Sequence, residues 1–213
     1  MIAIITTDAA VTAPVLQAFT KHAVEVSFNQ ISVDNDMSTS DTVMVFANGA
    51  AGLPEVDQDF QDAQKFTHAL TVLCTELAKD LVKDGEGATK FVEIVVEGAE
   101  NEDDAKRVAR AIGLSSLCKT AFYGEDANWG RFACAAGYSG VDFDPNELQV
   151  RLNDVVLCDR GLVTDYQEAD AAAIMKHKEF QVGVRIGDGP GTATFWTSDL
   201  SHDYVSINAD YRT

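Results

Sequence analysis

The sequence predicts an α+β chain, with helices and strands in separate layers rather than in a doubly wound parallel sheet. Three observations carry this. Helical and strand-like patterns alternate along the 213 residues without a regular βαβ period. From Val56 to Lys83, the apolar residues Phe60, Ala63, Phe66, Leu70, Leu73, Leu77 and Leu81 step by three or four, which makes one core-facing helical stripe. From Phe91 to Glu97 the period drops to two, with Val92, Ile94 and Val96 facing one way and Glu93 and Glu97 the other. The break between these last two patterns divides the chain into residues 1–87 and 88–213.

The elements follow in order. Ile2 to Thr6 is a continuous apolar run of strand length, expected to be a buried strand. A strand that begins at residue 2 fixes the amino end in structure and points to something functional just upstream. Thr12-Ala13-Pro14 opens a helix, with Thr12 as N-cap and Pro14 in the first turn. Val15, Leu16, Phe19, Ala23 and Val26 continue it at helical spacing, and Ser27 to Val33 reads as extended. Asp34 to Asp41 is a polar, turn-rich loop that lacks the central Gly and closing Glu of a calcium loop. Thr42 to Ala47 is a strand leading into the small-residue loop 48–52, where no Gly-Lys-Ser/Thr follows to make a phosphate loop.

Beyond Glu97, Asn101 caps a helix with Glu102, Asp103 and Asp104 in its first turn, where acids complement the helix dipole, and Gly113 is expected to stop it. Leu117 to Phe122 reads as a strand, and Trp129 to Ala136 as a short helix. Gln149 to Val156 reads as a hairpin around Asn153-Asp154, and Ala169 to Lys176 as an Ala-rich helix. Val182 to Ile186 and Thr192 to Thr197 flank a glycine-rich turn, and the tail from Ser201 to Thr213 is aromatic and polar.

Composition excludes several functions. Lys+Arg 16 against Asp+Glu 34 leaves a formal charge of −18, a field that repels nucleic-acid backbones. The apolar runs are too short to span a membrane. Cys74, Cys118, Cys134 and Cys158 form no CxxC and read as reduced, buried small hydrophobes of a cytoplasmic protein. His22, His68, His177 and His202 are isolated, so no metal site is expected.

Between the long helix and the alternating strand lies Asp84-Gly85-Glu86-Gly87-Ala88-Thr89-Lys90. Glycines on both sides of Glu86 allow a turn with positive φ and close approach of a ligand. Spacing alone favours the plainer reading, a helix C-cap in which Gly85 stops the helix beside a solvated carboxylate.

Several segments, in order from end to end, resemble the β chain of ornithine acetyltransferase, the glutamate N-acetyltransferase of cyclic arginine biosynthesis. They include Met1-Ile2-Ala3-Ile4, Ser38-Thr39-Ser40-Asp41-Thr42, Ala47-Asn48-Gly49-Ala50-Ala51-Gly52 and Asp84 to Lys90. They continue with Lys119-Thr120-Ala121, Asn128-Trp129-Gly130-Arg131, Asp199-Leu200, Tyr204-Val205 and Asn208 to Thr213.

The resemblance implies a precursor that cuts itself before a threonine into α and β chains. That threonine becomes the nucleophile, taking an acetyl group from N-acetylornithine and passing it to glutamate. Here it falls immediately before Met1, and neither Thr6 nor Thr7 aligns with it. The resemblance further implies a layered α-β-β-α sandwich completed by the α chain, to which residues 1–87 contribute. Residues 88–213 then form a second α/β domain, smaller than the completed sandwich, with a substrate-binding tail.

Glu86, Asn208 and Thr213 are the implied substrate-binding residues, and an α2β2 heterotetramer the implied assembly. No cofactor is implied, with acetyl-CoA an open question as co-substrate. An amino-terminal threonine has its own base, because an α-amine titrates near about 7.7–8.0 against about 10.4 for lysine. A carboxylate such as Glu86 attracts the ammonium of an amino acid, and Asn208 and Thr213 offer donors to its carboxylate. A related aminohydrolase, and a non-catalytic fragment without the nucleophile, are the alternatives.

Overall fold

The computed structural model describes residues 1–56 and 62–211. They form two compact units, 1–30 with 36–80 and 31–35 with 81–213.

In the first unit, strand β1 (Ile2–Thr7) pairs in parallel with β3 (Thr42–Ala47), Ile2 opposite Thr42 and Thr7 opposite Ala47. Helix α1 (Ala13–Glu25) connects them, with Thr12 at the N-cap and Pro14 in the first turn. Against expectation, β1 is not buried on both faces. Ile5 is covered, but Ile2 and Ile4 are exposed and share a sheet face with the exposed Phe46. The reason is topological: a two-stranded sheet in this chain has one face covered and the other bare.

The stretch after α1 is also not extended throughout. Ser27 Oγ donates to the Ala23 carbonyl at 2.6 Å and Gln30 Nε2 to the Glu25 carbonyl at 2.9 Å. These side-chain bonds wind Phe28–Gln30 into a single 3-10 turn and leave only Ile31–Ser32 as strand β2.

Val56 pairs with Val11 in a parallel bridge, so the long helix α2 begins later, at Ala63, and runs to Lys83. Phe60, the first residue of the predicted stripe, lies outside the described residues. The buried stripe is Ala63, Leu70, Cys74, Ala78 and Val82, while the predicted Leu73 is exposed. Phe19 and Phe66 stack with ring centroids 5.8 Å apart.

The second unit is built on a seven-stranded mixed sheet. Its further strands are β4 (Phe91–Ala99), β5 (Gln149–Leu152), β6 (Val155–Asp159), β7 (Leu162–Val163), β8 (Glu179–Arg185) and β9 (Gly191–Ser198). The order across it is β2-β9-β4-β8-β5-β6-β7. Strand β4 runs parallel to β8 and antiparallel to β9, so the two strands flanking the glycine-rich turn do not pair with each other. Ile31–Ser32 pairs in parallel with β9, which places segment 31–35 in this unit.

Val92, Ile94 and Val96 are fully buried beneath α3 (Glu102–Leu114), whose N-cap Asn101 accepts from Asp104 N at 2.9 Å, as expected. Gly113 does not stop α3, which continues to Leu114. A Cβ at 113 would lie 2.5 Å from the Phe195 ring, so packing space is what this glycine provides.

Residues 117–122 are not a strand. Ser115 caps helix α4 (Ser116–Tyr123), and the buried Cys118, Ala121 and Phe122 recur at helical spacing. Six residues with Lys119 and Thr120 in the middle are too short for periodicity to separate the two elements. Helix α5 (Trp129–Gly137), the β5–β6 hairpin and α6 (Glu168–Met175) fall where the sequence placed them. Phe122 packs against Phe132 and Phe180 at 5.5 and 5.7 Å between centroids. The tail winds into a further helix, α7 (His202–Asp210). All four cysteines are free, with Cys74, Cys118 and Cys158 buried but Cys134 exposed on α5.

Candidate functional site

Helix α2 ends at Lys83, and the chain turns through Gly85 and Glu86 into Gly87, where φ is +66°. Gly87 also packs directly on the start of α7: a Cβ there would lie 2.5 Å from Tyr204 N and 2.9 Å from Ser201 Oγ. A residue with a side chain fits neither the backbone conformation nor the space. Gly85 has an ordinary φ, and its role is room beside Val33, whose Cγ1 lies 2.9 Å from where a Cβ would be.

The turn holds Glu86 out toward solvent. Its Oε2 accepts a hydrogen bond from Asn208 Nδ2 at 2.8 Å. The same amide nitrogen donates to the Tyr204 carbonyl one turn back along α7, at 3.0 Å. Both Nδ2 protons are thereby committed, one to the turn and one to the helix. The structure thus brings together Glu86 and Asn208, while Thr213 lies outside the described residues. Chemically, the pair presents an anion beside an amide oxygen, a combination suited to an ammonium group.

What positions this pair is a polar framework to which the sequence assigned no role. Ser201 Oγ accepts from Tyr204 N at 3.3 Å, capping α7, and donates to the Gly87 carbonyl at 2.6 Å. The Asp199 carboxylate accepts from Thr89 N at 2.8 Å, Lys90 N at 3.0 Å and Thr89 Oγ1 at 2.5 Å. Tyr204 OH donates to Asp34 Oδ2 at 3.0 Å.

Two buried lysines complete the framework. Lys90 Nζ reaches Glu125 Oε1 at 2.8 Å and the Met175 carbonyl at 2.9 Å. The bond from Lys90 holds the Glu125 carboxyl below its ordinary value. Lys119 Nζ donates to Thr197 Oγ1 at 2.9 Å, to Ser198 Oγ at 3.3 Å and to the Ser198 carbonyl. Burial pushes the Lys119 ammonium down to about 8, against the opposing pull of Asp199 and Asp34. One sequence signal did point here. A serine followed by an acidic residue and a helical pattern is an N-cap signature, and Ser201-His202-Asp203 carries it.

Among the described residues, no three His, Cys, Asp or Glu side chains gather as metal ligands, and no helix is long and apolar enough to cross a membrane.

The profile of the ArgJ family matches residues 1–213. The arginine biosynthesis bifunctional protein ArgJ of Geobacter sulfurreducens is 49% identical over all of this chain, which covers 54% of that protein. The protein of the same description from Geobacillus stearothermophilus is 46% identical, again over the whole chain and 52% of its own length. A crystal structure of arginine biosynthesis bifunctional protein ArgJ from Bacillus halodurans superposes with a TM-score of 0.95 at 39% identity, covering 99% of this chain and 100% of that one. The chain spans about half the length of the curated relatives it matches. With a family match along its whole length and a mixed α/β fold shared with a solved member, the chain belongs to the ArgJ family.

Proposed function

We propose that this chain is the β part of a glutamate N-acetyltransferase of arginine biosynthesis, moving acetyl from N2-acetyl-L-ornithine to L-glutamate. The observation that carries the proposal is the match to ArgJ proteins over the entire chain but only about half of theirs, as a β chain cut from a precursor would give. The other half is the α chain, and the assembly is an α2β2 heterotetramer.

Residues 1–87 contribute to a layered α-β-β-α sandwich that the α chain completes. The bare face bearing Ile2, Ile4 and Phe46 supports this, because such a face needs covering. Residues 88–213 form the second domain with the substrate-binding tail. Free cysteines fit a reducing, cytoplasmic setting. Relatives from Physcomitrium patens and Neurospora crassa are described as chloroplastic and mitochondrial.

In this reading, a threonine directly upstream of Met1 attacks the acetyl carbonyl. Its own α-amine takes the hydroxyl proton, so no histidine is needed. The amide C–N bond breaks, ornithine leaves with its amine protonated, and the acetyl group stays as an ester on the threonine. The amine of glutamate then attacks that ester and regenerates the hydroxyl. Glu86 attracts the ammonium of the incoming amino acid with the Asn208 amide oxygen beside it, Asn208 having no proton left for the substrate carboxylate, and Thr213 offers the donor to that carboxylate. The reaction needs no cofactor, and acetyl-CoA enters only as a second acetyl donor.

The test is intact-mass measurement of the αβ enzyme incubated with N-acetylornithine. One acetyl group should appear on the chain and disappear when glutamate is added. An enzyme that turns over without ever carrying the adduct would refute the covalent route.

A further inference from the structure

The geometry points to Ser201 as the positioning residue that sets Glu86 and Asn208 against each other, an inference that rests on the reading of these two as the amino-acid grip. Glu86 sits on a turn and Asn208 on the second turn of α7, and the bond that joins them directly is exposed. A buried hydroxyl ties the two segments together. Ser201 Oγ donates to the carbonyl of Gly87, the residue after Glu86, at 2.6 Å, and accepts from Tyr204 N, in the first turn of α7, at 3.3 Å. Only a hydroxyl supplies donor and acceptor at a single atom. A carboxylate accepts alone, and an amide separates the two functions by more than 2 Å.

The surroundings fit this role. Ser201 is 4% exposed, so water does not compete for these bonds. Gly87 carries no Cβ where one would lie 2.9 Å from Ser201 Oγ, so the contact depends on residue 87 being glycine. Asp199, two residues earlier, fixes Thr89 and Lys90. Tyr204 OH donates to Asp34. Ser201 bonds both the turn and the start of α7.

The experiment compares the intact αβ enzyme with its Ser201→Ala, Ser201→Thr, Ser201→Asp and Glu86→Gln variants, using steady-state kinetics at saturating N-acetylornithine and varied glutamate. Ser201→Ala should raise the KM for glutamate about tenfold, the effect of losing two modest hydrogen bonds, with kcat within about twofold. Ser201→Thr keeps both functions and should restore most of the KM. Ser201→Asp keeps the helix cap but cannot donate to Gly87, so it should resemble Ser201→Ala.

Should Ser201→Ala fail to fold, Ser201→Asp decides the matter, because its helix start is intact. A wild-type KM in Ser201→Ala or Ser201→Asp, beside a raised KM in Glu86→Gln, overturns the positioning role and leaves the substrate reading standing. A wild-type KM in Glu86→Gln overturns both. A fall in kcat alone also overturns it, since a positioning contact for the acceptor acts on binding.

Discussion

Asn208 Nδ2 donates to Glu86 Oε2 at 2.8 Å across 122 positions of the chain, with both side chains reaching solvent. A bond this exposed contributes little to stability. Its value is geometric, since it presets a carboxylate and an amide as one unit. Replacing Asn208 with Asp turns the contact into two facing carboxylates, whereas Ala merely removes it. Steady-state kinetics on the αβ enzyme should therefore show a KM for glutamate higher in Asn208→Asp than in Asn208→Ala, by about fivefold for roughly 1 kcal/mol of screened repulsion. Equal KM values would show that Glu86 does not face Asn208 in the working enzyme.

Asp199 accepts three hydrogen bonds from Thr89 and Lys90. Asp199→Ala leaves two backbone amides and a hydroxyl without their acceptor in a largely buried setting. The expected loss is roughly 2–4 kcal/mol, read as a lowered thermal midpoint. Asp199→Asn retains one acceptor oxygen and should lose less.

At the bulge between Glu97 and Ala99, Gly98 has φ +77° and a Cβ there would lie 1.9 Å from the Gly187 carbonyl oxygen. Here backbone meets backbone, so no rotamer change relieves the clash. Gly98→Ala should destabilise the enzyme by more than about 3 kcal/mol, with the thermal midpoint as readout. A midpoint equal to wild type would mean the bulge rearranges freely.

Much of this architecture was legible in the residues. The β4 alternation of Val92, Ile94 and Val96 against Glu93 and Glu97 gave both the strand and its buried face. The Asn101 cap and the Asn153 hairpin were equally plain, because local side-chain chemistry decides them. Errors came where tertiary context outvoted local pattern. Ile2 to Thr6 looks like a fully buried strand, yet Ile2 and Ile4 on its outer face are exposed among the described residues. Leu117 to Phe122 is too short for periodicity to separate helix from strand. The buried stripe of α2 passes through Cys74 and Ala78, which a search for leucines overlooks.

At the candidate site, Glu86 and Asn208 entered through family resemblance, not through spacing. Apart from the local cap signature at Ser201, the framework of Asp199, Ser201 and Lys119 acts through contacts between residues far apart in sequence, which no local pattern encodes. Helix α7 was missed because its residues show no apolar stripe, and none of them is buried.

Lys119 yields a pH dependence. Its folded value is about 8, below the ordinary 10.5, because burial opposes the charged form. Between these values the unfolded chain binds the extra proton, so stability from this group rises with pH. Below about 8 the cost of burying the charge is fully present, and it is relieved as pH climbs toward 10.5. The thermal midpoint of wild type relative to Lys119→Met should therefore improve from pH 8 to 10, by at most about 1.4 kcal/mol per pH unit. A difference that stays flat over this range would show that Lys119 keeps an ordinary titration.

The central claim, acetyl transfer between amino acids, is tested most directly by following the label from N-acetylornithine carrying a labelled acetyl group, with the αβ enzyme in the presence and absence of glutamate. The account predicts that label passes to N-acetylglutamate when glutamate is present and that little free acetate forms in either case. Labelled acetate released at the same rate with or without glutamate would contradict it and identify a hydrolase.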